Sequence, residues 1–258
     1  MKSTDVVNLY DSKYFLESVD GYSDFEEFDG SFDSLFERYQ KNIVLLDLQP
    51  KHSYLEIGCG RGEICIFHSL TGGNAKGVDY SSAAIALAQR KALELGAKPL
   101  FDVSSFSEIN GSDYSYDRIL ASEFIEHISQ LEGEQFLRMA YATLKPGGKL
   151  LIYTMPNTLQ RKYGYPIIRM FARIRGISLP KRQEDTLSEH YLKYHLNEQN
   201  YFQLKKSARF AGFNNFVVGY DWYPDGKRAR WKCIAWTIVN NTPLRHIFLA
   251  NLFLLAEK

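Results

Sequence analysis

The sequence predicts an α/β fold built on a mostly parallel sheet, and two observations carry that reading. From Tyr54 to Tyr153 short apolar strands alternate with helical stretches, a pattern that implies right-handed crossovers between parallel strands. The first strand also runs into a loop with glycines at alternate positions, and a helix follows directly. The length of 258 residues suits one such domain with added segments, or at most two small domains.

The elements follow in order. Residues from Asp5 to Lys41 are rich in acidic and aromatic types, including Tyr10, Tyr14, Phe15, Tyr22, Phe25 and Phe28, and read as one or two short helices. Leu35 to Leu48 reads as a helix with Leu35, Tyr39 and Ile43 along one face, ended by Pro50. Tyr54 to Ile57 is a strand, Ile64 to Leu70 a helix, and Lys76 to Val78 a second strand. Ser82 to Leu95 is a helix that Ser81 or Ser82 caps and Gly96 closes. Leu100–Phe101 and Arg118–Ala121 are strands, Glu132 to Leu144 is a helix, Pro146-Gly147-Gly148 is a turn, and Lys149 to Tyr153 is the fifth strand. An insertion then runs from Pro156 to about His195. A helix from Glu198 to Ala211 and strands at Phe216–Val218 and Leu252–Ala256 complete the chain. An antiparallel hairpin suits this tail. The expected organisation is a single domain over 1–258, with a helical cap at 1–48, a lid insertion at 156–195 and a second insertion at 221–248.

With 45% hydrophobic and 24% charged residues, disordered and fibrous classes are excluded. The formal net charge of +1 gives no global field toward nucleic acid. Cys59, Cys65 and Cys233 form no C-x-x-C pair, which points to reduced thiols. Met1 to Leu9 lacks the apolar stretch of a signal peptide, and no apolar run approaches a bilayer span. A soluble, cytoplasmic protein is the expectation.

The chemistry concentrates at Leu55-Glu56-Ile57-Gly58-Cys59-Gly60-Arg61-Gly62-Glu63. Glycines let the backbone turn tightly and approach a ligand, while the following helix N-terminus offers amide donors to a carboxylate or phosphate. Dinucleotide dehydrogenases space their glycines G-x-G-x-x-G, and here the last of those positions is Glu63. The G-x-G-x-G form preceded by Glu56 resembles motif I of class I S-adenosylmethionine-dependent methyltransferases. Asp79, in Gly77-Val78-Asp79-Tyr80-Ser81, ends the second strand, where a carboxylate can accept both hydroxyls of a ribose. The turn Leu144 to Leu150 and the terminal Ala211-Gly212-Phe213 match the same family. The resemblance implies a Rossmann-like sheet of seven strands, the last antiparallel, with helices on both faces. It implies S-adenosyl-L-methionine as cofactor, held by Glu56, Gly58, Cys59, Gly60, Asp79, Tyr80, Asp102, Val103 and Ser122, with Asp102 facing the adenine amino group.

A second constellation, Ser122-Glu123-Phe124-Ile125-Glu126-His127, follows strand four. If Glu123 to His127 is helical, Glu123, Glu126 and His127 converge at the carboxyl edge of the sheet. The E-x-x-E-H pattern resembles the ubiquinone-biosynthesis O-methyltransferases and the small-RNA 3′-end 2′-O-methyltransferases, the latter using such a cluster with a further His to hold a divalent metal. The resemblance favours His190 over His195 for that further His. Glu123, Glu126, His127 and His190 are therefore candidate ligands for Mg²⁺ or Mn²⁺. Without metal, His127, Glu126 and His190 are the candidate catalytic groups, a His serving as general base.

Residues 160–182 carry Arg161, Lys162, Arg169, Arg173, Arg175, Lys181 and Arg182 among Ile167, Ile168, Met170, Phe171 and Ile174. They read as a cationic amphipathic helix with a solvated basic face, a lid over the acceptor, or a membrane-surface contact. Trp222 to Phe248 reads as another wall of the acceptor pocket, and Tyr14 as ordinary aromatic packing ahead of a cofactor contact. The expected activity is methyl transfer to a hydroxyl or amine of a small molecule such as a catechol, sugar or lipid-linked intermediate. A metal-dependent RNA 2′-O-methyltransferase and a non-catalytic cofactor-binding module stand as alternatives.

Overall fold

The structure, a computed structural model, describes residues 22–109, 116–186, 195–221 and 237–258. Tyr10, Tyr14, Phe15, His190, and the stretch 222–236 with Cys233 and its tryptophans lie outside the described residues. Seven strands form one sheet: β1 (Ser53–Ile57), β2 (Asn74–Asp79), β3 (Leu100–Val103), β4 (Tyr116–Ser122), β5 (Leu144–Thr154), β6 (Asn215–Asp221) and β7 (Asn251–Glu257). Their order is β3-β2-β1-β4-β5-β7-β6. All neighbours pair in parallel except β7, which runs antiparallel to both β5 and β6. The seven-stranded expectation and the antiparallel tail both hold.

The central strands carry the core because they are covered on both faces, which is why they read as near-continuous apolar runs. Ile119 to Ala121 and Leu150 to Ile152 are fully buried. One cluster, with Leu55, Ile57, Phe124, Phe136 and Leu204, packs one face, and another, with Tyr54, Ile64, Ile85, Phe101 and Leu151, packs the other. The helices are α1 (Tyr22–Glu27), α2 (Glu37–Leu46), α3 (Glu63–Leu70), α4 (Ser82–Leu95), α5 (Gln130–Thr143), α6 (Tyr165–Ile174), α7 (Tyr201–Ala211) and α8 (Arg245–Phe248). Ser81 and Gly96 cap α4 as expected. A reciprocal capping box between Ser129 and Glu132 starts α5 two residues earlier than the sequence reading, and Asn200 caps α7.

Two elements differ from expectation for identifiable reasons. Helix α2 starts at Glu37, after Leu35, and although Leu35, Tyr39 and Ile43 pack in the core as expected, it also buries Arg38 and Asn42, because these polar side chains meet partners at the sheet edge. The Pro146-Gly147-Gly148 turn is a kink inside β5. Pairing shifts from Tyr116↔Leu144 to Arg118↔Lys149, and the freed backbone is satisfied by Lys258.

Strand order reverses between β1 and β4, so the loops leaving their carboxyl ends run to opposite sides, the place where open α/β sheets bind ligands. Beyond β5 the chain is bolted down by Asn157. Its side chain donates to the carbonyls of His246 (2.8 Å) and Leu249 (2.9 Å), and its N–H donates to Ala250. Gly164 lies against the Ile247 carbonyl so closely that any side chain there would collide.

Candidate functional site

The glycine loop forms because its backbone needs left-handed angles that glycine alone adopts cheaply: φ is 68° at Gly58, 52° at Gly60 and 75° at Gly62. The N–H groups of Gly58 and Cys59 donate to the Val78 carbonyl at 2.9 and 3.1 Å, tying β1's end to β2. Asp79 then accepts one N–H on each oxygen: Gly60 at 3.0 Å and Ser81 at 2.9 Å. A carboxylate oxygen has a second acceptor site, so the pair suits two vicinal hydroxyls. Burial raises this carboxyl to about 6, against the lowering effect of the two N–H groups.

The neighbouring predicted residues serve the loop from beneath. Glu56 is buried, accepts from the Cys65 thiol at 3.2 Å, and is pushed up to about 8 by burial. The Cys59 side chain packs at Gly77 and Phe101, so only its backbone belongs to the loop surface. Arg61 is buried beneath the Phe25 ring and pairs with Glu63 at 3.0 Å. Glu63 is thus turned to an internal partner. Tyr80 is half-buried beside Asp79.

Asp102 lies on β3 in register with Val78 and pairs with Lys76 at 2.7 Å, which places it on the sheet face opposite Asp79. Val103, in register with Asp79, is half-exposed, and the Ser104 N–H donates to the Asp79 carbonyl at 3.0 Å. Ser122 accepts a hydrogen bond from the Asn42 amide at 3.1 Å. The Oδ1 of Asn42 is buried and has no hydrogen-bond partner among the described residues.

Glu123, Glu126 and His127 do not converge, because the stretch is not helical. Glu123 adopts φ 52° and its N–H continues the sheet pairing to the Tyr153 carbonyl at 2.8 Å. Phe124 then turns inward to pack edge-on against Phe106 and Phe136, and only Ile125–His127 makes a 3₁₀ turn. Glu123 forms an ion pair with Arg38, whose guanidinium lies over the Tyr153 ring. Glu126 is buried and accepts from the Thr154 hydroxyl at 2.8 Å, and burial raises it to about 8, with the Glu123 charge adding to the shift. Its backbone carbonyl accepts N–H groups from Leu196 and Asn197. Among the described residues no three His, Cys, Asp or Glu side chains are placed to share a metal.

His127 faces His195 instead, ring centroids 4.9 Å apart and edge to face. Glu198 stands behind His195 at 3.4 Å and is gripped bidentately by Arg161 at 2.6 and 2.7 Å. Sequence reasoning missed Arg38, Asn42, Thr154, Glu198 and Arg161 as site residues. The available signal was the spacing of Arg38 and Asn42, one turn apart on a helix that carries apolar residues elsewhere.

Residues 55–148 match a family described as a methyltransferase domain. Curated relatives include the mitochondrial ubiquinone biosynthesis O-methyltransferase of Mus musculus, 34% identical over 118 residues, which cover 44% of this chain and 31% of that protein. Another is the ubiquinone biosynthesis O-methyltransferase of Chelativorans sp., 30% identical, with 41% of each chain covered. The chain spans between about a third and a half of the length of such relatives. Among solved structures, the magnesium protoporphyrin IX methyltransferase of Synechocystis with bound S-adenosylhomocysteine aligns over 99% of both chains at TM-score 0.58 and 14% identity. A methyltransferase from Archaeoglobus fulgidus aligns over 93% of this chain and 100% of its own at TM-score 0.55 and 20% identity. The sheet is that of the class I methyltransferases.

Proposed function

We propose that this chain, whose residues 55–148 match a methyltransferase-domain family, transfers the methyl group of S-adenosylmethionine to a hydroxyl of a small molecule. The observation that carries the reading is Asp79. Its carboxylate stands at the switch point of the sheet, held by two backbone N–H groups beside three left-handed glycines. The names of the curated relatives support oxygen as the acceptor atom.

The residues present fit that cofactor. Asp79 would hold the ribose hydroxyls, and the backbone of Gly58 to Gly60 would line the methionine portion. Val103 and Ser104, next to Asp79 across β3, would border the adenine. The unpartnered Oδ1 of Asn42 leaves an acceptor for an ammonium group. When bound, the cofactor supplies an already electrophilic methyl carbon on its sulfonium. The protein's task is then to align the acceptor and exclude water. His127, half-buried at the carboxyl edge and backed by His195 and Glu198, is positioned to take the acceptor's proton. Glu126, in this reading, anchors the loop through Thr154, Leu196 and Asn197 and does not touch the acceptor. The engagement of Glu123 by Arg38 and of Glu126 by Thr154 supports giving the proton-transfer role to His127.

Calorimetric titration with S-adenosylhomocysteine tests the reading. Wild type is expected to bind, and Asp79→Asn to lose at least about tenfold in affinity through the removed charge-assisted hydrogen bonds. No binding by wild type, or equal binding by the variant, overturns it.

A further inference from the structure

Helices α5 and α7 are the crossovers from β4 to β5 and from β5 to β6, and β6 runs parallel to β5 through the two antiparallel pairings of β7. The two helices therefore lie side by side and point the same way. A cleft of about 320 Å³ separates their facing stripes, within the size range of small-molecule sites. Each stripe has i, i+3, i+4, i+7 spacing: Gln130, Gly133, Glu134 and Leu137 on α5, and Gln203, Lys206, Ser207 and Phe210 on α7. Ile125, Asn197 and Gln199 complete the lining.

The two stripes match position for position. Carboxamides come first, at Gln130 and Gln203. The charges of Glu134 and Lys206 lie about one turn further, and Leu137 and Phe210 close the other end. Leu137 is fully buried, and the Phe210 ring has the Arg138 guanidinium over it, 4.5 Å from its centroid. Glycine is unfavourable inside a helix, and close approach accounts for Gly133: a Cβ there would lie 2.9 Å from the Asn197 amide nitrogen.

The polar groups of this cleft are open to a ligand. Among the described residues Gln130, Glu134 and Lys206 form no hydrogen bond or ion pair. Gln203 uses only its oxygen, for Asn200, and Gln199 only its amide nitrogen, for Asn197. An acid and a base that share a cleft without pairing suit a ligand that carries both charges. An ammonium takes Glu134, a carboxylate takes Lys206, and the carboxamides supply the remaining donors and acceptors. Leu137 and Phe210 receive a hydrocarbon side chain. A simple anion would meet repulsion from Glu134, and an apolar molecule would leave both charges unanswered. An α-amino acid carries all three groups on one carbon.

The floor joins the cleft to the turn that ends in His127. Asn197 donates its side-chain amide to the Ile125 carbonyl at 3.2 Å and its N–H to the Glu126 carbonyl at 3.0 Å. Ile125 and Asn197 both line the cleft, so an occupant presses on the link between that turn and the segment carrying His195 and Glu198.

We propose that the cleft between α5 and α7 binds a free α-amino acid with an apolar side chain, and that the occupant braces the turn at Ile125–His127. The inference is independent of the methyl-transfer reading.

The test is a titration of the isotope-labelled full chain with L-leucine and with L-phenylalanine, read by amide NMR shifts. It runs to about 10 mM, beyond the roughly millimolar range of weak small-molecule sites. At least one of the two is expected to bind, with shifts at Gly133, Asn197 and Ser207 and none at Gly58 or Gly60. Its carboxamide, which lacks the carboxylate, and its N-acetyl derivative, which lacks the ammonium, should each bind at least about tenfold more weakly. Glu134→Gln and Lys206→Gln should each weaken binding by about tenfold, and Ser207→Leu, which fills the cleft, should abolish it. Thermal melts establish that the variants are folded. Hydrogen exchange at the Leu196 and Asn197 amides should slow on binding. The proposal is overturned if neither amino acid binds, if the shifts fall on the glycine loop, if the capped derivatives bind as well as the parent, or if the folded variants keep wild-type affinity. Exchange at Leu196 and Asn197 that binding leaves unchanged overturns the bracing.

Discussion

Arg38, buried on α2, forms an ion pair with Glu123, the residue that leaves β4 in a left-handed backbone conformation. One contact thereby fixes a helix that precedes the sheet to the loop that follows its fourth strand. Removing the guanidinium leaves Glu123 facing an apolar gap over Tyr153. Arg38→Ala is expected to lower stability by about 2 kcal/mol, less than for a fully buried pair because Glu123 is partly exposed. Urea denaturation measures it, and an unchanged midpoint would show the contact to be idle.

The conformation of Glu123 makes a separable prediction. Glycine adopts φ 52° without the penalty of about 1 kcal/mol that other residues carry there. Glu123→Gly and Glu123→Ala both lose the Arg38 contact, so their difference isolates the backbone. The Gly variant should be the more stable by about 1 kcal/mol, and equal midpoints would refute the strain.

Buried carboxyls, Glu63 among them, favour the ligand-free fold at the lower end of the range between pH 6 and 8.5, and His52, His68 and His246, lowered by burial, oppose them near pH 6. Asp79 is raised to about 6, and Glu56 and Glu126 to about 8, chiefly by burial. The folded state therefore binds more protons than the unfolded chain above the ordinary carboxylate range, and stability falls as pH rises toward 8. Thermal melts should show a higher Tm at pH 6 than at pH 8.5. Glu126→Gln, which can keep the Thr154 hydrogen bond, should raise the Tm at pH 8.5 by a few degrees, about 2–4 °C for each kcal/mol relieved. A Tm that rises from pH 6 to 8.5 would contradict these assignments.

With an accepted substrate in hand, His127→Asn should lower kcat by about 10²–10⁴-fold with S-adenosylhomocysteine affinity preserved, as expected for a lost general base. His195→Asn should cost less, since His195 acts through its contact with the His127 ring. A His127 variant with wild-type turnover would remove the proton-acceptor role.

The sheet was legible because its signals are local: the central strands are apolar runs, α4 carries its cap at Ser81 and its stop at Gly96, and the glycine loop needs residue types that little else requires. The place of Asp79 at the end of β2 was legible for the same reason. The E-x-x-E-H stretch was not, because its spacing suits a helix while Phe124 is drawn inward by Phe106 and Phe136, residues distant in sequence. The ion pair of Asp102 with Lys76 was not legible, because only the register between β2 and β3 brings the two side chains to one face. The roles of Arg38 and Asn42 were hidden because burying polar groups makes sense only once Glu123 and Ser122 stand opposite them.

Asn157 reaches across to carbonyls some ninety residues away, and Gly164 admits the Ile247 backbone where no side chain fits. The segments after β5 and before β7 are therefore a single heritable unit in two pieces. A graft that imported one from a relative would strand the Asn157 amide in a buried site or drive a side chain into a carbonyl. Recombination with a relative, in the laboratory or in descent, can change these segments only by exchanging both halves together.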